Sequence, residues 1–218
     1  LSPKEEYIMF IDDIKIKISP LWEEGFNKPF IQKLIDGSLS NELFEQYLFQ
    51  DAFYLEKYVE LCELALTKAD NEKEREVQYS LIEFSGLVEL QTRFDFFNCK
   101  NDDNKELFFE TKQYINFIMS FSEDEDNFKL MVVLMNCMLS YNYIFTKAEK
   151  QMDNFHNKYY EFVIDYVADN SKIFYKKCIG YLNERYQDIS DYDKNELFKI
   201  FEKATKYELE FLDRVYKG

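Results

Sequence analysis

Cys137 is the residue of this chain whose type and setting best suit chemistry. It lies in the apolar segment Leu130-Met131-Val132-Val133-Leu134-Met135-Asn136-Cys137-Met138-Leu139-Ser140-Tyr141. On a helix Tyr141 falls one turn beyond it, so thiol and phenol share a face. A thiolate is a nucleophile, and a face carrying it beside a phenol can form a pocket wall. The competing reading is packing, since free cysteine is among the most buried residue types. A second polar interruption of an apolar stripe lies at Asp51. Phe44, Tyr47, Leu48, Asp51, Tyr54, Leu55, Tyr58 and Leu61 recur at helical spacing, with Tyr47 and Tyr54 flanking the acid on its own face. There the carboxylate either meets a ligand or is a buried acid satisfied by tyrosine hydroxyls.

Long helices must position these groups. The chain has 218 residues, five glycines and three prolines, all three prolines within the first thirty residues. The rest is free of strong helix breakers. The apolar spacing of three and four, with no alternating pattern and no repeat, predicts an all-α fold of one domain over residues 1–218. A first helix is expected over 3–18, capped by Ser2 and ending before Ser19-Pro20. A second, from 21, breaks near Asn27-Lys28-Pro29, resumes to Ile35 and stops at Asp36-Gly37. Ser40 reads as the N-cap of a helix reaching Thr67. Further helices are expected over 72–98, over 105–121, through Cys137 to Gln151, and over 157–167, 171–187 and 194–216. The acidic stretch Ser122 to Asp126 serves as a connection.

Composition narrows the partners. With 42 acids against 27 bases the net charge is −15, which repels phosphate backbones and anionic membranes. The only arginines, Arg75, Arg93, Arg185 and Arg214, are scattered, so neither nucleic acid nor a membrane is expected as a partner. No apolar run approaches twenty residues and the N-terminus is acidic and polar, so a cytoplasmic protein is expected. Cys62, Cys99, Cys137 and Cys178 lack paired spacing, which suits thiols in a reducing compartment, and all but Cys137 read as structural or surface thiols. The single histidine, His156, sits in a polar connection without partner histidines, so no metal is expected. Most of the 22 Phe and 17 Tyr must be core, with a minority lining a cavity for a flat ring.

In chain order, Trp22 with Lys28-Pro29-Phe30, Asp36-Gly37-Ser38-Leu39, and Phe44 to Asp51 followed by Tyr54-Leu55 resemble the N-terminal signature of the thiaminase II (TenA) family. Tyr114 resembles that family's mid-chain tyrosine, and Cys137 with Tyr141 its Cys-x-x-x-Tyr element. Tyr159-x-x-Phe162-x-x-x-Tyr166 and Glu208-x-x-Phe211-Leu212-Asp213 resemble two later elements. The resemblance covers about residues 22 to 216. Lys28, Asn136, Phe145, Phe162 and Leu212 depart from the family's usual His, Pro, Gly, Trp and Trp, and none of these changes removes a reactive group.

The resemblance implies a haem-oxygenase-like helical bundle without haem or other cofactor, usually a homotetramer, that hydrolyses aminopyrimidines in thiamin salvage. It implies Cys137 as the nucleophile that adds to the ring, Glu208 as the acid at a ring nitrogen, and Asp51 as the acceptor of the exocyclic amine. Tyr47, Tyr54, Tyr114, Tyr141 and Tyr166 would line the pocket. The chemistry is coherent: an electron-poor pyrimidine releases its methylene substituent once a nucleophile has added, and a buried carboxyl eases addition by protonating the ring. Glu208 competes for its role with Glu210, two residues on. Rival readings are a redox or metal bundle, poorly served by one histidine, a relative of the PQQ-synthase branch, which relies on His and Arg, and a non-catalytic pyrimidine-binding or interaction protein.

Overall fold

The computed structural model describes residues 9–85, 106–123 and 127–218, with backbone alone at 169–171. Among these residues are nine α-helices and no strand. The helices are α1 (Phe10–Phe26), α2 (Pro29–Ile35), α3 (Asn41–Thr67), α4 (Glu72–Leu81), α5 (Phe109–Met119), α6 (Asn127–Glu149), α7 (Tyr160–Ile164), α8 (Asp169–Gln187) and α9 (Asp191–Lys217). The all-α expectation holds. The Ser2 cap, residues 86–98 of the expected 72–98 helix, the break at 99–104 with Cys99, and residues 124–126 lie outside the described residues.

Local signals explain most boundaries. Ser40 caps α3, its Oγ accepting from the Leu43 N–H at 3.3 Å, and Asn71 caps α4 through the Glu74 N–H at 2.9 Å. Between α2 and α3 the chain reverses at Gly37, whose φ of 77° suits glycine. The Asn157 amide donates to the last carbonyls of α2, Leu34 at 3.0 Å and Ile35 at 2.8 Å, which closes that helix end.

Several expected boundaries are corrected: α5 begins at Phe109 rather than 105, and three others have a local cause. The first helix does not end before Ser19-Pro20 but runs through to Phe26 with Pro20 inside it. Proline removes the hydrogen bond to the carbonyl four residues back, that of Ile16. Ile16 is 74% exposed, so water can serve that carbonyl. The expected 157–167 helix shrinks to α7, because the chain then tightens into i→i−3 bonds, Tyr166 to Val163 at 3.2 Å and Val167 to Ile164 at 3.0 Å. Finally, α9 starts at Asp191 rather than 194, because Ser190 accepts from the Asp193 N–H at 3.2 Å.

Helix α6 is central and packs against α1, α2, α3, α5, α7, α8 and α9. It is long and apolar enough to cross a membrane, yet 78% of its apolar window is buried inside the fold, as in a core helix. Two clusters of buried side chains form on it. One gathers around Phe10, Trp22, Phe128 and Phe201, the other around Phe30, Tyr47, Phe145 and Phe211. Cys137 packs against both, and so marks their junction.

Candidate active site

At that junction two adjoining hollows, one larger than the other, open on the Cys137–Tyr141 face of α6. Both are lined by Cys137, Tyr141 and Asp51. The larger adds Tyr47, Tyr58, Tyr166 and Tyr175, together with Phe84 and Ser85. The smaller adds Glu208 and Phe211 from α9, Tyr114 and Thr111 from α5, and Tyr54. All eight residues singled out in the sequence therefore line one or both hollows. Glu208, not Glu210, faces inward: Glu208 is 4% exposed whereas Glu210 lies on the solvent face.

Glu208 is the hub of the hydrogen bonding. Tyr114 donates its hydroxyl to Glu208 Oε1 at 2.5 Å, and Tyr54 in turn donates to the Tyr114 hydroxyl at 3.2 Å. The Cys137 thiol and the Tyr141 hydroxyl also bond to the Glu208 carboxyl, and Tyr47 bonds to Tyr141. Burial pushes the carboxyl pKa up to about 7, with Asp51's charge adding to the rise, while the bonds from Tyr114, Cys137 and Tyr141 hold it down. A buried carboxyl poised there both gives and takes protons near neutral pH. Burial, with the nearby Glu208 charge adding to it, raises the hydroxyls of Tyr114 and Tyr141 well above the usual phenol range. Those phenols stay neutral and act as donors.

The aromatic wall is stacked rather than loose. Tyr54 and Tyr114 stack at 4.7 Å between ring centroids, and Tyr141 and Tyr166 at 5.9 Å. Phe162, where the resemblance has Trp, stands edge-on to both Tyr47 and Tyr166. Flat walls of this kind suit a planar, electron-poor ring. Among the described residues no cluster of His, Cys, Asp or Glu could hold a metal, and His156 is exposed, bonded to Asp153 at 2.9 Å. Cys62, Cys137 and Cys178 form no disulfide, and Cys62 and Cys178 are buried.

Buried polar links hold the supporting helices. Gln50, next to Asp51, donates to the Glu106 carbonyl at 2.9 Å and accepts from the Phe108 N–H at 3.0 Å and the Thr111 hydroxyl at 2.7 Å. It thereby fastens the start of α5, which carries Tyr114, to α3, which carries Asp51 and Tyr54. The Trp22 indole donates to Ser140 Oγ at 2.9 Å, tying α1 to α6. Lys28 bridges Asp213 at 2.7 Å and Glu24 at 2.9 Å, joining the α1–α2 turn to α9.

Sequence reasoning missed Thr111, Phe84, Ser85, Met138 and Tyr175 as lining residues. Thr111 lies at i−3 from Tyr114, a spacing that signals a shared face. For Phe84, Ser85 and Tyr175 the sequence carries no such signal, since only the packing of the α4 end and α8 against α3 and α6 brings them to the site.

The TENA/THI-4/PQQC family matches residues 15–218. An aminopyrimidine aminohydrolase of Halalkalibacterium halodurans is 26% identical over 206 residues, covering 92% of this chain and 92% of that protein. Among solved structures, a TenA homologue from Pyrococcus furiosus superposes with a TM-score of 0.86 at 17% identity, covering 95% of this chain and all of that one. A haem oxygenase from Synechocystis, solved with haem, superposes at 0.65 with 12% identity, covering 95% of this chain and 92% of that one. The fold is thus haem-oxygenase-like, and the chain belongs to the TENA/THI-4/PQQC family.

Proposed function

We propose that this chain is an aminopyrimidine hydrolase of thiamin salvage, acting through Cys137 as nucleophile and Glu208 as proton donor. The observation that carries the reading is the Cys137–Glu208 hydrogen bond inside a ring-lined hollow, with the carboxyl poised at about 7 and Asp51 on the same wall. The relative named an aminopyrimidine aminohydrolase supports the same reaction class.

In the proposed cycle the Glu208 carboxyl gives its proton to a ring nitrogen as the Cys137 Sγ bonds to a ring carbon, and the carboxylate so formed takes up the thiol proton, so the ring accepts the electron pair without building charge. That pair then expels the substituent from the exocyclic methylene, and the leaving group departs as an amine or thiazole. Water adds to the methylene and gives up a proton to the departed leaving group, then the C–S bond breaks and the ring-nitrogen proton returns to the sulfur through Glu208, which regenerates the thiol and the carboxyl. The net change exchanges the leaving group for hydroxide, with no oxidant or reductant. Asp51 accepts from the exocyclic amine and sets the ring's register, and the tyrosines exclude bulk water. We further propose a single helical domain that works in the cytoplasm as a homotetramer. Exposed side chains such as Phe109, Ile173 and Tyr192 support association.

Turnover of thiamin and of 4-amino-5-aminomethyl-2-methylpyrimidine tests the reading, with Cys137→Ser as the control. The wild type is expected to hydrolyse at least one of them, and Cys137→Ser to lose nearly all kcat while binding the hydroxymethyl product as before. No turnover of either compound refutes a hydrolase and favours a pyrimidine-binding protein. Wild-type kcat in Cys137→Ser refutes the covalent step.

A further inference from the structure

The residue immediately before the cysteine makes a buried contact that the chemistry above does not use. Asn136 Nδ2 donates to Thr205 Oγ1 at 2.7 Å and to the Phe201 carbonyl at 3.2 Å. The Thr205 hydroxyl donates to the same carbonyl at 2.9 Å, so it is directed and not free to rotate. Asn136 is 0% and Thr205 1% exposed, in a core otherwise built here from Met135, Phe201 and Ala204. Thr205 stands at i−3 from Glu208, on the same face of α9. The contact therefore joins the two helices that carry the nucleophile and the acid, one residue from the first and one turn from the second.

We propose that Asn136 is a positioning residue: with Thr205 it sets the axial register of α9 on α6, and so holds the Glu208 carboxyl within hydrogen-bond reach of the Cys137 thiol. The inference rests on the proposed roles of those two residues. Its physical basis is the difference between apolar and polar contacts. Apolar helix faces attract without direction, and a one-residue slide moves a helix by about 1.5 Å. A slide of that size breaks a hydrogen bond, and misplacement by about 1 Å can cost about 100-fold in rate. A buried amide meeting two acceptors on one turn of α9 admits a single register. It contributes little to stability, because Asn136 Oδ1 meets no donor from the described residues and an apolar side chain of similar volume would avoid that desolvation.

The test separates register from stability. Asn136→Leu and Thr205→Val are each expected to lower kcat at least tenfold while the melting temperature shifts by only a few degrees. KM and product affinity should stay within threefold, because Asp51 and the α3 and α5 tyrosines are untouched. Thr205→Ser, which keeps the hydroxyl, should retain wild-type kcat, and the Asn136→Leu/Thr205→Val pair should be no worse than either alone. Alkylation of Cys137 by iodoacetamide, followed by mass spectrometry, gives a readout that needs no turnover, and Asn136→Leu should change its rate at least threefold. Unchanged kcat and alkylation in a wild-type background that turns over would overturn the proposal. So would a fall in kcat that merely tracks lost folded protein. A wild type without turnover whose alkylation still depends on Asn136 removes the hydrolase reading and supports the register role.

Discussion

Glu208→Gln removes the one ionisable group at the hub of the site, and it is expected to raise stability at high pH while it abolishes activity. The folded carboxyl keeps its proton up to about pH 7, against 4.5 for an ordinary glutamate. Between those values the folded state binds more protons than the unfolded one, so stability falls as pH rises through this window. A shift of about 2.5 units at about 1.4 kcal/mol each corresponds to about 3 kcal/mol lost by pH 8.5. Glutamine has no proton to lose and escapes the penalty, and its Oε1 can still accept from Tyr114. Urea unfolding of both proteins at pH 5 and pH 8.5 measures the effect. The stability difference, variant minus wild type, should grow by about 3 kcal/mol between the two, whatever constant offset the substitution adds. Over the same range kcat should fall by about 100-fold or more, because the amide cannot supply a proton. Glu210→Gln, on the solvent face, should leave kcat unchanged. A stability difference that does not vary with pH would refute the claim that burial holds this carboxyl near 7.

Asp51→Asn should raise KM and weaken product binding at least tenfold, by turning an acceptor toward the substrate amine into a donor. Since Asp51's charge helps raise Glu208, the basic limb of the kcat/KM profile should move to lower pH in this variant, and an unmoved limb with unchanged KM would make Asp51 structural. Tyr114→Phe removes the 2.5 Å donor that holds Glu208 down, so the same limb should move to higher pH, and a shift the other way would contradict the assigned bond direction. Gln50→Leu strands the Phe108 N–H, the Thr111 hydroxyl and the Glu106 carbonyl, at a cost of about 3 kcal/mol in urea unfolding. A loss below about 0.5 kcal/mol would show that α5 is held by other contacts.

The helices themselves were legible in the residues because their signals are local. Apolar spacing along Phe44 to Leu61 marks α3, and Ser40 marks its start, since a cap needs only a hydroxyl three residues before an open N–H. Asp51, Tyr54, Cys137 and Tyr141 were legible as inward positions for the same reason, each interrupting an otherwise apolar face. Pro20 was misread because a proline inside a helix is tolerated best on its solvent side, and only the packed α1 shows that Ile16, four residues back, lies on an exposed face. The choice between Glu208 and Glu210 turned on the burial of one face of α9. Two acids of the same type, two residues apart, differ in chemistry because one is desolvated among Tyr114, Tyr141 and Cys137 and the other is hydrated. Helix formation reads spacing along one chain segment. A carboxyl poised near neutrality needs α3, α5, α6 and α9 together, because the low dielectric and the donors around it come from residues as much as 157 positions apart, Asp51 to Glu208.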